Sequence, residues 1–215
     1  VFLVAGGYKQ IIAPLVPAEL TIKNMELGNQ IYYDYLGYQP SVVLPSEMAI
    51  SDGSALLYRE AKFDRVLVDI DNVPNARKLD RSTSRHFVPD SDLEFQWASS
   101  LVYQWVQHYI HGAVEFEAVL DRIRNRALSW PLQSLFPLYT GDAEAIGFRP
   151  GRFMAERSAN GSEEWKRFEH LLFHLKSEGT IFANLQSADR GGITMEPQNH
   201  EEISLSNLPE LIVVK

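Results

Sequence analysis

Ser41-Val42-Val43-Leu44-Pro45-Ser46-Glu47-Met48-Ala49-Ile50-Ser51 is a β-branched run that breaks at a Pro-Ser turn and delivers a lone acid, Glu47, just past the break. A strand that ends in charged loop chemistry is the unit from which α/β proteins assemble their sites. Working outward, similar short runs at residues 2–5, 65–69, 138–140, 180–183 and 211–214 alternate with helical patterns, which predicts an α/β fold with parallel strands and outer helices. Apolar residues Leu20, Ile22, Met25, Leu27, Ile31 and Tyr35 mark a helix over 17–35 that Gly37 closes. A shorter helix is expected over 50–61 and another over 113–125. Ser91 and Glu94 read as a capping box ahead of Phe95, Ala98, Leu101, Val102, Trp105, Val106 and Tyr109, so a long helix is expected from Ser91. Asn160 and Glu163 open a further helix whose Trp165, Phe168, Leu172 and Leu175 read as core packing and which Gly179 ends. Residues 71–90 are polar and without period, and are expected as a long loop.

The chain has 215 residues, a formal net charge of −8, no cysteine and 45% hydrophobic residues. Its length fits one domain with a full core. The negative charge argues against a nucleic-acid partner, whose phosphates require clustered Lys and Arg; the cluster Arg122, Arg124, Arg126 reads as a solvated helix end. Without cysteine there are no disulfides, thiolate nucleophiles or Cys-based zinc sites, which is compatible with the cytoplasm. No apolar run approaches the roughly 18 residues of a membrane span and no basic leader precedes Val1, so neither membrane anchor nor signal peptide is expected. Strand-like ends at Val1 and Val214 suggest a piece of a longer polypeptide.

The second informative stretch lies 95 residues beyond Glu47 (142 − 47): Gly141-Asp142-Ala143-Glu144-Ala145-Ile146-Gly147-Phe148-Arg149-Pro150-Gly151-Arg152-Phe153, after the apolar run Phe136-Pro137-Leu138-Tyr139. Two strand-end carboxylates suggest glycosidic chemistry, in which one acid attacks and one protonates across a gap of about 5–5.5 Å in retaining enzymes. Simpler roles exist for each residue. Glu47 precedes a helix and could serve its dipole; Asp142 could form an Asx-turn, and Glu144 could pair with Arg149 or Arg152. Either arginine could instead orient a carboxylate or bind sugar hydroxyls.

Pro45-Ser46-Glu47-Met48-Ala49-Ile50-Ser51, and Tyr139-Thr140-Gly141-Asp142-Ala143-Glu144 with Arg149-Pro150-Gly151-Arg152-Phe153, resemble the two acidic motifs of glycoside hydrolase family 57, the α-amylase, 4-α-glucanotransferase and branching-enzyme group. The resemblance runs in order over roughly residues 1–185, with Ile11-Ile12-Ala13-Pro14-Leu15 similar to the family's His-x-x-x-Pro-Leu strand end. It implies an incomplete seven-stranded (β/α) barrel acting on an α-glucan-like polysaccharide or oligosaccharide by double displacement. Glu47 would be the nucleophile and Asp142 the acid/base, with Glu144, Arg149 and Arg152 binding substrate and no cofactor required. The family's N-terminal His-x-His/Gln-Pro strand and C-terminal helical bundle have no counterpart in these residues. Lys9 or Gln10 stands where a histidine is usual and Leu44 where an aromatic is. Those departures sustain an alternative, a non-catalytic carbohydrate-binding or assembly module. An incomplete barrel would expose two sheet edges, so another chain or segment completing it is expected.

Asp69 and Asp71 end another strand and are candidates for substrate binding, although capping the following turn is the simpler role. His86, expected in the long loop, is a candidate contact to a sugar hydroxyl. His170 and His174 have the i, i+4 spacing of two metal ligands but no companion acid, so no metal site is assigned. For the same reason a metal-dependent polysaccharide deacetylase is disfavoured, since no Asp/His/His set can be assembled. Gly6-Gly7 lacks the further glycine of a dinucleotide fingerprint, and there is no serine nucleophile elbow.

Overall fold

A computed structural model describes residues 3–73, 85–88, 91–130, 136–141, 145–147, 161–183 and 200–202. They fall into two compact units, one within Val1–Ala98 and Gly191–Lys215, the other within Ser99–Trp130 and Phe136–Arg190.

The first unit is built on a sheet of five strands, β1 (Val42–Val43), β2 (Arg65–Asp69), β3 (Arg85–Val88), β4 (Leu93–Ala98) and β5 (His200–Glu202), in the order β1-β2-β4-β3-β5. Strands β1, β2 and β4 run parallel, and Ala5 adds a parallel bridge to Val43. Every residue of β2 is buried, as in a central parallel strand covered on both faces. Its one cation, Arg65, lies opposite Glu94 in the register and pairs with it at 3.1 Å. Helix α1 (Ala18–Leu36) turns Thr21, Asn24, Met25, Gly28 and Asn29 inward and ends at Gly37 in the left-handed region at φ 72°. Helix α2 (Asp52–Glu60) starts at a reciprocal cap between Ser51 and Ser54, which satisfies amides that the helix itself leaves unpaired.

Strand β3 runs antiparallel to β4 and parallel to β5, so the expectation of uniformly parallel strands is corrected. The connection from Val88 to Leu93 is too short for a parallel crossover, which needs a dozen or more residues. Ser91 shapes it: its hydroxyl donates to the Val88 carbonyl at 2.9 Å and accepts the Leu93 amide at 3.1 Å. Ser91 therefore does not open a helix, and residues 93–98 form β4 instead. In Leu93-Glu94-Phe95-Gln96-Trp97-Ala98 the apolar residues Leu93, Phe95 and Trp97 alternate with half-buried polar ones, the period of a strand. The expected loop over 71–90 likewise contains β3.

The second unit packs α3 (Ser100–Ile110), α4 (Phe116–Leu128) and α5 (Gly161–Ser177) around Val102, Val106, Ile110, Leu120 and Leu171. Helix α3 is capped by Ser99, whose side chain accepts the Val102 amide. On α5 the inward positions include Glu164, Leu171 and Leu175, whereas Trp165, expected in the core, is half exposed. Residues 138–140 and 180–183 form no strand. Tyr139 packs its ring on Tyr103 and Phe168, and Thr180 closes the end of α5 through its amide to the Leu175 carbonyl. Residues 211–214, a further expected strand, and Asn160, an expected cap, lie outside the described residues.

Candidate active site

Because Ala5, β1, β2 and β4 run in one direction, their carboxyl ends meet on one edge of the sheet. Gly6 and Pro45–Glu47 follow two of those ends and Asp69 closes β2, at the edge where parallel sheets bind ligands.

Glu47 sits in a single turn, Ser46–Met48, between the buried Pro45 and the buried Ala49. The Met48 amide donates to the Pro45 carbonyl at 2.9 Å and the Ala49 amide to the Ser46 carbonyl at 3.1 Å. Both central residues are left-handed, Glu47 at φ 57° and Met48 at φ 50°, the φ signs of a type I′ turn that Asn and Gly usually fill. Two side-chain-bearing residues held this way store roughly 1–2 kcal/mol each, and such strain concentrates at functional sites. The Glu47 side chain is exposed. It does not cap the next helix, since Ser51 and Ser54 already do.

Asp69 is buried, and its two oxygens are engaged locally: Oδ1 accepts the Asp71 amide at 3.0 Å and Oδ2 accepts the Asn72 side-chain amide at 2.7 Å. It thus caps the one-turn helix Ile70–Asn72. Asp71 is half-buried within that turn. His86 is no loop residue. It lies on β3 at 1% exposure, edge-to-face with Trp97, whose indole N–H donates to Nδ1 at 3.1 Å. An accepting Nδ1 fixes the tautomer with its proton on Nε2. Asp142, Glu144, Arg149 and Arg152 lie outside the described residues.

Sequence reasoning missed Asn24. From the buried face of α1 it accepts the Lys9 amide at 2.7 Å and donates to the Lys9 carbonyl at 3.0 Å, while its own carbonyl accepts the Tyr8 amide. The loop after Ala5 is thereby fixed beside the β1 end. The buried face of α1 is Thr21, Asn24, Met25, Gly28 and Asn29, whereas Leu20, Leu27, Ile31 and Tyr35, expected inward, are exposed.

In the second unit, His170 and His174 both pack on the Phe116 ring. His170 Nδ1 shares a hydrogen bond with the Tyr109 hydroxyl at 3.0 Å, and His174 faces Glu178 at 3.4 Å. Among the described residues no group of three acidic or histidine side chains is placed to hold a metal, and no helix is long and apolar enough to cross a membrane.

The profile of glycosyl hydrolase family 57 matches residues 1–120, more than half the chain and inclusive of Glu47. The chain belongs to glycosyl hydrolase family 57. Its fold is similar to that of an exo-type maltose-forming amylase from Pyrococcus sp. ST04, with a TM-score of 0.62 at 13% identity over 94% of this chain and 32% of that one. It is also similar to a 4-α-glucanotransferase from Thermococcus litoralis, with a TM-score of 0.61 at 15% identity over 95% of this chain and 28% of that one. The family-57 chain therefore spans about a third of the length of these enzymes. No curated protein matches it.

Proposed function

We propose that this family-57 chain carries the catalytic part of a retaining glycoside hydrolase or glucanotransferase acting on an α-glucan-like polysaccharide, within an incomplete seven-stranded barrel that another chain or segment completes. The observation that supports this most directly is the exposed carboxylate of Glu47, held by a left-handed turn at the carboxyl end of β1. In the reaction, a Glu47 oxygen bonds to the anomeric carbon as the bond to the leaving oxygen breaks, and protonated Asp142 gives that oxygen its proton. The Asp142 carboxylate then takes a proton from water or an acceptor hydroxyl, whose oxygen displaces Glu47 and restores both groups. Glu144, Arg149 and Arg152 orient the acids or the sugar. Asp69 and Asp71 act one step back, shaping the neighbouring strand end, and His86 supports β3 from inside. The lack of cysteine suits a cytoplasmic setting.

The test is substitution in the full-length protein. Glu47→Gln and Asp142→Asn should each lower turnover of maltooligosaccharides by at least about a thousandfold while leaving the melting temperature within a few degrees. Full activity in either variant sinks the assignment. Retained sugar binding by a wild type without any turnover would instead establish the non-catalytic module.

A further inference from the structure

The loop over residues 6–9 is built more firmly than its two adjacent glycines call for. It leaves Ala5, whose amide donates to the Val42 carbonyl at 2.9 Å and whose carbonyl accepts the Leu44 amide at 2.8 Å. Ala5 and Val43 pair in parallel, so this loop and the turn of Glu47 depart from neighbouring strands at the same end. Hydrogen bonds then hold the loop backbone along its length. The Gly6 amide donates to the Tyr32 hydroxyl at 3.4 Å and the Tyr8 amide to the Asn24 carbonyl at 3.0 Å. The buried Asn24 side chain accepts the Lys9 amide at 2.7 Å and donates to the Lys9 carbonyl at 3.0 Å. The side chains above this backbone stay outside: Tyr8 is 50% exposed, and the exposed Lys9 sets its ammonium over the Tyr8 ring, 5.2 Å from the centroid.

We infer that Tyr8 and Lys9 form a glucosyl-binding subsite at the strand end that carries Glu47: the Tyr8 ring packs on the C–H face of a glucose unit, and the Lys9 ammonium donates to its hydroxyls. The inference deepens the glycosidase reading above and rests on it for the class of ligand. A pyranose has hydroxyls round its rim and C–H bonds on its faces, so an aromatic ring beside a hydrogen-bond donor matches both. Core packing calls for neither side chain. A half-exposed phenol adds little to a core, and the ring offers Lys9 only the weak attraction of a solvated cation–π pair. What the hydrogen bonds fix is the backbone beneath two solvent-facing groups. Gly28 allows this by lacking a Cβ, which would stand 2.7 Å from the Gly7 carbonyl carbon. A backbone fixed before the sugar arrives loses less entropy on binding. A tyrosine, with few rotatable bonds, adds contact area at low conformational cost. The net charge of −8 disfavours an anionic ligand, so the ammonium is assigned to hydroxyls.

The experiment measures maltohexaose binding by calorimetry in the full-length protein, with Glu47→Gln as the parent so that the sugar is not consumed. Adding Tyr8→Ala should raise Kd about 10- to 100-fold, the worth of one covered ring. Tyr8→Phe, which keeps the ring, should stay within about threefold of the parent. Lys9→Met, which keeps the chain length and removes the donor, should lose about three- to tenfold. Tyr35→Ala is the control: it removes a tyrosine that is 84% exposed on α1, and should change Kd by less than about twofold. Unchanged binding in Tyr8→Ala or Lys9→Met, or an equal loss in Tyr35→Ala, would overturn the inference. A parent that binds no maltohexaose refutes the α-glucan reading, and the subsite falls with it. When the parent binds, a normal Tyr8→Ala variant refutes the subsite alone. Acetylation of the unmodified protein needs no variant to fold. Saturating maltohexaose should slow acetylation of Lys9 at least about fivefold relative to Lys23 on α1, and equal Lys9 rates with and without the sugar also overturn the proposal.

Discussion

A glutamate held at φ 57° gives up conformational energy that a glycine in the same place would keep. Glu47 and Met48 both sit on this side of the map, so the turn after β1 is selected for something other than local comfort, and presenting a carboxylate is the simplest gain. The stability order of variants follows. Glu47→Gly should be at least as stable as the natural protein, because relief of roughly 1–2 kcal/mol of strain exceeds or matches the added chain entropy of glycine. Glu47→Val, β-branched and ill-suited to a left-handed backbone, should lose about 1–2 kcal/mol. Urea denaturation of the three proteins checks the order, and a glycine variant clearly less stable than wild type would mean that the Glu47 side chain is held by contacts rather than strained. Asp69 is the counterexample at the same sheet edge. It has ordinary extended backbone at φ −78° and both oxygens on Asp71 and Asn72, the profile of a structural cap.

Among the elements, α1 owes its close approach to the loop at Gly7–Tyr8 to Gly28. A Cβ there would stand 2.7 Å from the Gly7 carbonyl carbon and 2.9 Å from two further backbone atoms of the Gly7–Tyr8 link, and backbone cannot swing away as a side-chain tip can. Gly28→Val should therefore cost about 2–3 kcal/mol by overpacking, read as a lower urea midpoint with an unchanged slope; a neutral result would show that the 6–9 loop yields freely. The extent of α1 was legible, with Gly37 marking its end, but its buried face was not: Leu20, Leu27, Ile31 and Tyr35 are exposed, and Thr21, Asn24, Met25, Gly28 and Asn29 face inward. Residues 93–98 were not legible either, because Phe95 fits both the strand alternation Leu93-Phe95-Trp97 and, with Ala98, the i, i+3 spacing of a helix. Only Ser91, bonded inside a tight connection rather than to a helix amide, decides between the two. The same ambiguity misplaced one residue on α5: Trp165 and Glu164 are neighbours, and the burial of a carboxylate over an indole follows from Gly147, a partner distant in sequence that no local period reveals.

For the whole molecule, family membership and the α/β class were legible because they rest on motif order and on alternating strands and helices, both local signals. The direction of β3 and β5 was not, since it depends on pairing between segments far apart in sequence. The place of Glu47 after a β-branched run and the turn-capping of Asp69 were legible because both are local, while the buried place of His86 needed the sheet. Each of the two units also buries a tyrosine, Tyr58 in the first and Tyr109 in the second, and this gives the protein a common alkaline limit. Burial pushes the Tyr58 phenol well above its ordinary value near 10. Burial also raises Tyr109, with Arg167 opposing the rise and Glu115 adding to it. The unfolded chain releases the Tyr58 proton near pH 10 while the folded chain keeps it, so above that pH the folded state binds more protons. Stability then falls as pH rises, by up to about 1.4 kcal/mol per pH unit for one such group, until the folded phenol also ionises. Tyr58→Phe keeps the ring and removes the proton. Urea unfolding between pH 8 and pH 11 should give parallel curves for variant and wild type below about pH 9.5 and a shallower decline for the variant above it. Equal slopes throughout would show that the Tyr58 phenol ionises as readily in the folded protein as in the unfolded chain.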